Sequence, residues 1–242
     1  MNPVISFDDV TKRFGAIEAL APTGLRLMAG EFVSLIGPSG CGKSTVLRLA
    51  AGLTSPSGGQ IEVASDNIGY VFQDATLMPW RTVRENVEFL GQLDGMDRTE
   101  RQSRTDEVLE LVGLEHFANH YPLALSGGMK MRTSIARSLL LEPDVFLLDE
   151  PFGALDQISR VKMNEELTSL FSLRRFAALL VTHSIDEAIF LASRLLVMCT
   201  RPGHIVAEFE IPFDFPRQPA IRYEPAFARI AGEVAEALEA AS

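Results

Sequence analysis

Two glycine-rich turns of this 242-residue chain have the residue types that hold phosphate groups. The first spans residues 37–45 and directly follows an apolar run. In such a loop, backbone N–H groups and the N-terminus of the next helix converge on one anion. Lys43 would reach the β- and γ-phosphates of a nucleotide, and the hydroxyl of Ser44 would bind Mg²⁺. The predicted nucleotide-binding residues are Gly37, Pro38, Ser39, Gly40, Cys41, Gly42, Lys43, Ser44 and Thr45.

The second turn reads Leu-Ser-Gly-Gly-Met over residues 125–129 and precedes a predicted helix. Ser126 can cap that helix, while Gly127 and Gly128 leave the backbone open to a phosphate. A single nucleotide needs only one phosphate loop. A chain with two such loops therefore suggests that each acts on a different nucleotide.

A pair of carboxylates supplies the hydrolytic chemistry that a phosphate loop lacks. The apolar run Val145–Leu148 predicts a buried strand, and it ends in Asp149 and Glu150. Asp149 can hold Mg²⁺ through water, and Glu150 is then placed to orient or deprotonate an attacking water. An apolar run ending in Asp-Glu is common by itself. The phosphate loop in the same chain makes it informative.

His183 and Gln73 also follow apolar runs that predict strands. In parallel α/β sheets, ligands bind beyond the carboxyl ends of the strands. We therefore expect His183 to lie near Asp149 and the first turn, where it would sense the γ-phosphate. Gln73 carries an amide that could contact Mg²⁺ or the attacking water.

The elements that must position these residues alternate between strand and helix, as in an α/β core. Strands are expected over most of 4–36, at 60–63, 68–72, 145–148 and 177–181, and twice within 194–211. Helices are expected at 42–51, at 126–141 and in the tail. Two more are expected to begin at the capping boxes Thr82–Glu85 and Ser184–Glu187. A further helix is expected between the strands at 145–148 and 177–181. The tail carries Phe227, Ile230, Val234 and Leu238 at helical spacing, so we expect it to pack on its own domain, with a dimer contact as the alternative.

Composition excludes several classes of protein. The hydrophobic content is 47%, but no apolar run approaches the roughly 20 residues of a membrane span. The formal charge of −10 argues against a nucleic-acid partner, because such binding needs clustered Lys and Arg. No basic region followed by an apolar stretch opens the sequence, so we expect a cytoplasmic protein. At a membrane, a protein partner would have to hold it.

The two cysteines, Cys41 and Cys199, are too few for a disulfide framework. Cys41 is predicted at a helix N-terminus beside Lys43, and both features lower the pKa of a thiol. We expect alkylation of Cys41 to block nucleotide binding. The alternative is that Cys41 is a small packing residue.

In their order and spacing, these motifs closely resemble the ATP-binding cassette (ABC) family of transporter ATPases over about residues 4–211. The resemblance identifies Gly37–Thr45 as the Walker A motif, Gln73 as the Q-loop, Leu125–Met129 as the signature, Asp149 and Glu150 as the Walker B pair and catalytic base, Asp156 as the D-loop and His183 as the switch histidine. Phe14 stands where the family stacks an aromatic ring on adenine, and the alternative is an ordinary packing residue.

The resemblance implies a P-loop NTPase core of the ABC ATPase type, with an N-terminal antiparallel β subdomain and an inserted helical subdomain. We expect one domain over 1–242. The core and the antiparallel β subdomain would cover 1–73 and 141–242, and the helical subdomain with the signature would cover 74–140. Ser44, Gln73 and Asp149 would hold Mg²⁺, while Glu150, His183 and Gln73 would act in ATP hydrolysis.

The family works as a head-to-tail dimer, in which each ATP lies between the Walker A motif of one protomer and the signature of the other. Ser126, Gly127, Gly128 and Met129 would thus contact ATP held by a second copy or a sister cassette. The implied partners are two membrane permease subunits and, indirectly, an extracytoplasmic substrate-binding protein. The protein would then sit peripherally on the inner face of the membrane.

Residues 71–83, 149–156 and 197–205 are similar to the branch that serves nitrate, sulfonate and taurine importers. We therefore expect an ATPase that energises uptake of a small, anionic metabolite. The alternatives are the ATPase of a lipid-trafficking or export system, a non-transport ABC protein, and a regulatory module without activity. Trp80 lies in the region where the family receives a helix of the membrane subunit, or it packs within the helical subdomain.

Overall fold

The strands form two separate sheets in the computed structural model, which describes residues 3–200 and 202–241. Their bounds are β1 Pro3–Phe14, β2 Ile17–Met28, β3 Phe32–Ile36, β4 Gly58–Val63, β5 Ile68–Val71, β6 Val145–Asp149, β7 Ala177–Val181, β8 Arg194–Cys199 and β9 His204–Glu210. The smaller sheet is antiparallel in the order β2-β1-β4, and the larger has the order β5-β6-β7-β3-β8-β9.

The larger sheet is parallel from β5 to β8, and β9 closes it in the antiparallel direction. Every residue of β3, β6 and β7 is buried, as expected for parallel strands covered on both faces. Leu35 pairs with Val181, and Leu148 pairs with both Leu180 and Val71. The carboxyl ends of β3, β5, β6 and β7 therefore meet along one edge of the sheet.

Seven α-helices connect or cover the sheets in the described ranges. Their bounds are α1 Lys43–Ala50, α2 Val83–Leu93, α3 Arg98–Leu111, α4 Gly127–Leu139, α5 Gln157–Arg174, α6 Ile185–Leu191 and α7 Pro225–Ala240. Helix α1 lies between the two sheets, since Val46 and Leu47 share a core with Phe7 of β1 and Leu147 of β6. None of the described helices is long and apolar enough to cross a membrane.

Between β5 and β6 the chain forms α2, α3, α4 and two short 3-10 turns. The capping box at Thr82 is confirmed: its Oγ1 accepts from the N–H of Glu85 at 3.2 Å, and the Glu85 carboxylate accepts from the N–H of Thr82 at 2.8 Å. Helix α2 packs on both α3 and α4. The division of the chain into subdomains at residues 73 and 141 remains a prediction.

The capping box predicted at Ser184 is only half right. Ser184 Oγ accepts from the N–H of Glu187 at 3.3 Å. The Glu187 carboxylate does not return to Ser184; it accepts from the hydroxyl of Thr182 at 2.6 Å and lies 3.4 Å from Nε of Arg160. Glu187 is buried, and a buried carboxylate is strongly stabilised by a hydroxyl donor and a guanidinium, while the N–H of Ser184 donates to Oγ1 of Thr182 at 3.1 Å instead.

The tail helix α7 packs on its own domain, as its apolar spacing predicts. Phe227, Ile230 and Val234 are buried in the same core as Phe190 of α6 and Leu195 of β8. The apolar face thus covers one side of the larger sheet.

Candidate functional site

The first glycine-rich turn leaves β3 at Ile36 and enters α1 at Lys43. A Cβ atom on Gly37 would lie 2.6 Å from the carbonyl oxygen of Met198, so only glycine fits there. Gly42 is the N-cap of α1 with φ of 100°, and no side chain caps this end. The free N–H groups of the first helical turn are therefore open to an anion.

Lys43 is folded back over this turn. Only 7% of the residue is exposed, and Nζ donates to the carbonyl oxygens of Gly37 at 2.7 Å and Pro38 at 2.9 Å. An ammonium group has three donors. The turn itself thus holds the lysine charge at the mouth of the predicted phosphate site.

Ser44 and Asp149 join the start of α1 to the end of β6. Ser44 Oγ donates to Asp149 Oδ1 at 2.9 Å. Burial raises the pKa of Asp149, and the hydrogen bond from Ser44 opposes that rise. A hydroxyl and a carboxylate are oxygen donors of the kind that Mg²⁺ prefers, with waters and phosphates completing its shell. These residues fit the predicted metal.

Glu150 and His183 meet across the ends of β6 and β7. Nδ1 of His183 lies 3.2 Å from Oε2 of Glu150, and the backbone N–H of Glu150 donates to the carbonyl of Val181 at 2.9 Å. Glu150 has φ of 47°, a left-handed conformation that costs a non-glycine residue roughly 1–2 kcal/mol. This turn directs Glu150 out of the strand toward the histidine.

Gln73 follows the end of β5, and it is exposed. Because Val71 pairs with Leu148, the residues just after them lie at the same edge of the sheet. The fold thus brings Gln73 to the edge that carries Asp149, Glu150 and His183.

The second turn forms a helix start, as predicted. Ser126 is the N-cap of α4, and its Oγ accepts from the N–H of Met129 at 3.2 Å. Ser126 and Gly127 are exposed. A Cβ on Gly127 would lie 3.8 Å from that of Ala154, and one on Gly128 would lie 2.8 Å from Cδ2 of Leu155. The turn therefore rests on the segment that leads to Asp156.

Asp156 has a local role that the sequence analysis missed. It is the N-cap of α5: Oδ1 accepts from the N–H of Ser159 at 3.0 Å, and Oδ2 accepts from its hydroxyl at 2.6 Å. These bonds from Ser159 lower the pKa of Asp156. An aspartate three residues before a serine at a helix start was the signal for this cap.

The expectation of a lowered thiol pKa at Cys41 is wrong. The residue is 1% exposed, and burial raises the pKa of its thiol more than Lys43, whose Nζ lies 3.7 Å from Sγ, lowers it. Desolvation of the thiolate outweighs the nearby charge. The structure favours Cys41 as a small packing residue.

The two aromatic residues singled out in the sequence, Phe14 and Trp80, both lie outside the core. Phe14 is 51% exposed, with Nζ of Lys12 4.9 Å from the centre of its ring. Trp80 is 73% exposed. These exposed fractions argue against ordinary internal packing. Each ring is accessible to a ligand or a partner.

A cavity of about 860 Å³ lies at the opposite edge of the larger sheet. It is lined near the starts of β6 and β7 by Asp144 and Ala177, and it contains none of the predicted site residues. Its size alone does not make it the site of the chemistry described above.

A phosphate loop, a Ser–Asp pair and a Glu–His pair on one edge of a parallel sheet define a P-loop nucleotide hydrolase. The antiparallel sheet over α1 and the helical insertion that carries the second glycine turn are those of an ATP-binding cassette. The ABC transporter family profile matches residues 20–153. The chain belongs to the ABC transporter family.

Relatives match almost the whole chain. A Brucella abortus protein, provisionally named as ATP-binding, is 46% identical over 241 residues, which are 97% of this chain and 93% of the relative. An aliphatic sulfonates import ATP-binding protein of Pseudomonas syringae is 44% identical, covering 92% of each chain. A nitrate import ATP-binding protein of Synechocystis is 42% identical, covering 93% of this chain and 89% of the relative.

Solved structures share the fold. A dimeric bacterial ABC transporter cassette is 34% identical with a TM-score of 0.80, covering 87% of this chain and 100% of the other. A post-hydrolysis state of such a cassette, bound to ADP and Pi, has the same identity and coverage with a TM-score of 0.79.

Proposed function

We propose that the chain is the ATP-hydrolysing subunit of an ABC importer that energises uptake of a small, anionic metabolite of the nitrate, sulfonate or taurine type. The observation that carries the hydrolytic part is the contact of Glu150 with His183 at 3.2 Å, at the same sheet edge as the contact of Ser44 with Asp149 at 2.9 Å. The import function and the anionic cargo are supported by the names of the relatives from Pseudomonas and Synechocystis.

Within one chain, the residues of Gly37–Thr45 hold the phosphates of ATP, and Phe14 stacks on the adenine. Lys43 exchanges its two carbonyl partners for phosphate oxygens. Ser44, Asp149 and Gln73 hold Mg²⁺, which when bound neutralises charge on the phosphates. Glu150 takes the proton of the attacking water, and His183 orients Glu150 and senses the γ-phosphate.

The second glycine turn acts on ATP held by another protomer. Ser126 and Gly127 are exposed, and Gly128 and Met129 complete the turn at the start of α4. An anion placed before α4 would meet free N–H groups and a positive helix end. The dimer is head-to-tail, and Asp156 lies near the turn, because Gly127 and Gly128 pack on Ala154 and Leu155.

Permease subunits supply the membrane attachment. Trp80 is exposed and lies seven residues after Gln73. A helix of the permease that docks on Trp80 is therefore coupled through this short segment to Gln73 at the metal site. ATP-driven closure of the dimer then moves the permease, and a substrate-binding protein delivers cargo from the other side. With a net charge of −10, neither nucleic acid nor anionic lipid is a partner by itself.

The assignment of Glu150 is tested by Glu150→Gln. We expect ATP turnover to fall by roughly 10²–10⁴-fold, because the general base is removed, while ATP binding and an ATP-bound dimer persist. Glu233→Gln on the surface of α7 is the matched control and should hydrolyse ATP normally. Unchanged hydrolysis in Glu150→Gln would refute this role.

The composite site is tested by mixing two inactive variants, Lys43→Ala and Gly127→Ala. In an equal mixture, about half of the dimers contain one chain of each variant. Each of these mixed dimers has one intact and one defective ATP site. If the two sites act independently, up to about a quarter of the normal activity therefore returns. No recovery, with mixed dimers demonstrated by crosslinking, would argue against a shared site.

The transport class is tested by co-purification from the native organism. Permeases and a substrate-binding protein are the expected partners. Uptake assays with that binding protein and candidate anions then identify the cargo. Lipid-binding partners would favour a lipid-trafficking or export ATPase, and ribosomal or DNA-repair partners a non-transport ABC protein. Absence of basal ATPase activity would favour a regulatory module.

A further inference from the structure

We infer that Tyr70 is a positioning residue for Asp149: its phenolic hydroxyl steadies the carboxylate of the metal site. The inference rests on the proposed function, because it assumes that Asp149 helps to hold Mg²⁺. It adds a residue of β5 that precedes the Q-loop and has no part in the motifs described above.

Strand register places Tyr70 and Asp149 on the same face of the larger sheet. Tyr70 pairs with Leu147 in the parallel neighbour β6. Side chains two residues apart on a strand point to the same face, so Asp149 is on the face of Leu147 and Tyr70. That face is covered by α1, since Leu147 and Tyr70 contact the core that contains Val46 of α1. The tyrosine therefore lies in the layer that holds Ser44.

The hydroxyl of Tyr70 is buried, and it forms no hydrogen bond of good geometry within the described part of the chain, although the side chains of Asp149 and Arg48 are close enough to interact with it. Buried hydroxyl groups are nearly always paired, and the carboxylate of Asp149 is the acceptor that interacts with this one. Ser44 already donates to Oδ1 of Asp149. A phenol beside this carboxylate can donate to its second oxygen, Oδ2, and so hold the carboxylate in one orientation, in which it would bind Mg²⁺.

Electrostatics agree with this placement. Burial and the charge of Asp149 together raise the pKa of Tyr70 to about 12, and the charge of Arg48 opposes the rise. Both charged groups thus lie within electrostatic reach of the hydroxyl. A tyrosine hydroxyl carries a proton near neutral pH, so it can donate to a carboxylate.

The other contacts of Tyr70 do not use the hydroxyl. Its ring centre lies 4.3 Å from that of Phe72, and its backbone carbonyl accepts from Ser138 Oγ at 2.9 Å. Tyr70→Phe keeps both contacts and removes one oxygen. Tyr121→Phe, on a ring that is 51% exposed, is the matched control.

The test measures binding of the slowly hydrolysed analogue ATPγS with Mg²⁺ and with EDTA. The ratio of the two affinities reports the metal contribution, and the EDTA value reports the phosphate loop alone. Loss of a group that orients a metal ligand typically weakens metal binding 10–100-fold. We expect Tyr70→Phe to lower the ratio at least about tenfold with the EDTA affinity unchanged, and Tyr121→Phe to change neither.

Each other outcome overturns the inference. An unchanged ratio in Tyr70→Phe means that the hydroxyl does not serve the metal site. An equal loss with Mg²⁺ and with EDTA means that the hydroxyl only supports the fold, which a lowered melting temperature would corroborate. If Mg²⁺ fails to strengthen binding even in the native protein, the proposed metal site itself is wrong, and the two failures are thereby distinguished.

Discussion

Alanine substitutions at Gly127 and Gly128 test separately how the second glycine turn packs and whether it meets a phosphate. In Gly128→Ala the new Cβ would lie 2.8 Å from Cδ2 of Leu155, which is 5% exposed. Leu155 then has to move by roughly 0.7–1.2 Å to restore an ordinary carbon–carbon distance of 3.5–4.0 Å. In Gly127→Ala the nearest atom, Cβ of Ala154, is 3.8 Å away, which is already an ordinary contact.

Overpacking of a core costs about 1–3 kcal/mol, and the flexible end of Leu155 places Gly128→Ala at the lower end. For a chain of this size, a loss of about 1–2 kcal/mol lowers the melting temperature by about 2–8 °C. Gly127→Ala should melt at the native temperature or slightly above, because alanine favours the first turn of α4.

Both variants should nonetheless lose ATPase activity: the methyl group of Gly127→Ala adds bulk at the exposed glycine of the turn, and the contact with Leu155 in Gly128→Ala displaces the backbone that would meet a phosphate. Thermal melts and ATPase assays on the same preparations make the comparison. A loss of stability in Gly127→Ala as large as that in Gly128→Ala would refute the packing argument. Full activity in a stable Gly127→Ala would show that the turn does not meet a phosphate.

Three further predictions concern single residues. Cys41, with its raised pKa and 1% exposure, should react with iodoacetamide far more slowly than the half-buried Cys199, and equal labelling by mass spectrometry would contradict its burial. Met129→Gln should keep its ATPase activity, because the phosphate contacts are proposed for the backbone of Ser126 and the two glycines; a loss of activity would show that the side chain of Met129 is also needed. Gly232→Ala in α7 meets no atom within 4 Å, so it should stabilise the protein by about 0.5–1 kcal/mol, measured by urea unfolding.

The sequence predicted the elements whose signals are local. The apolar runs of β3, β6 and β7, the glycine turn before α1, the cap at Ser126 and the capping box at Thr82 all form where residue order indicates. Each depends on neighbours within a few positions, so side-chain type and backbone preference suffice to specify it.

Only the tertiary structure decided how groups far apart in sequence share an environment. His183 reaches Glu150 because β6 and β7 are parallel neighbours in register. Glu187 contacts Thr182 and Arg160 because a carboxylate removed from water is destabilised unless strong donors replace its hydration. Cys41 has a raised pKa because burial outweighs a nearby charge, and burial is set by the whole fold.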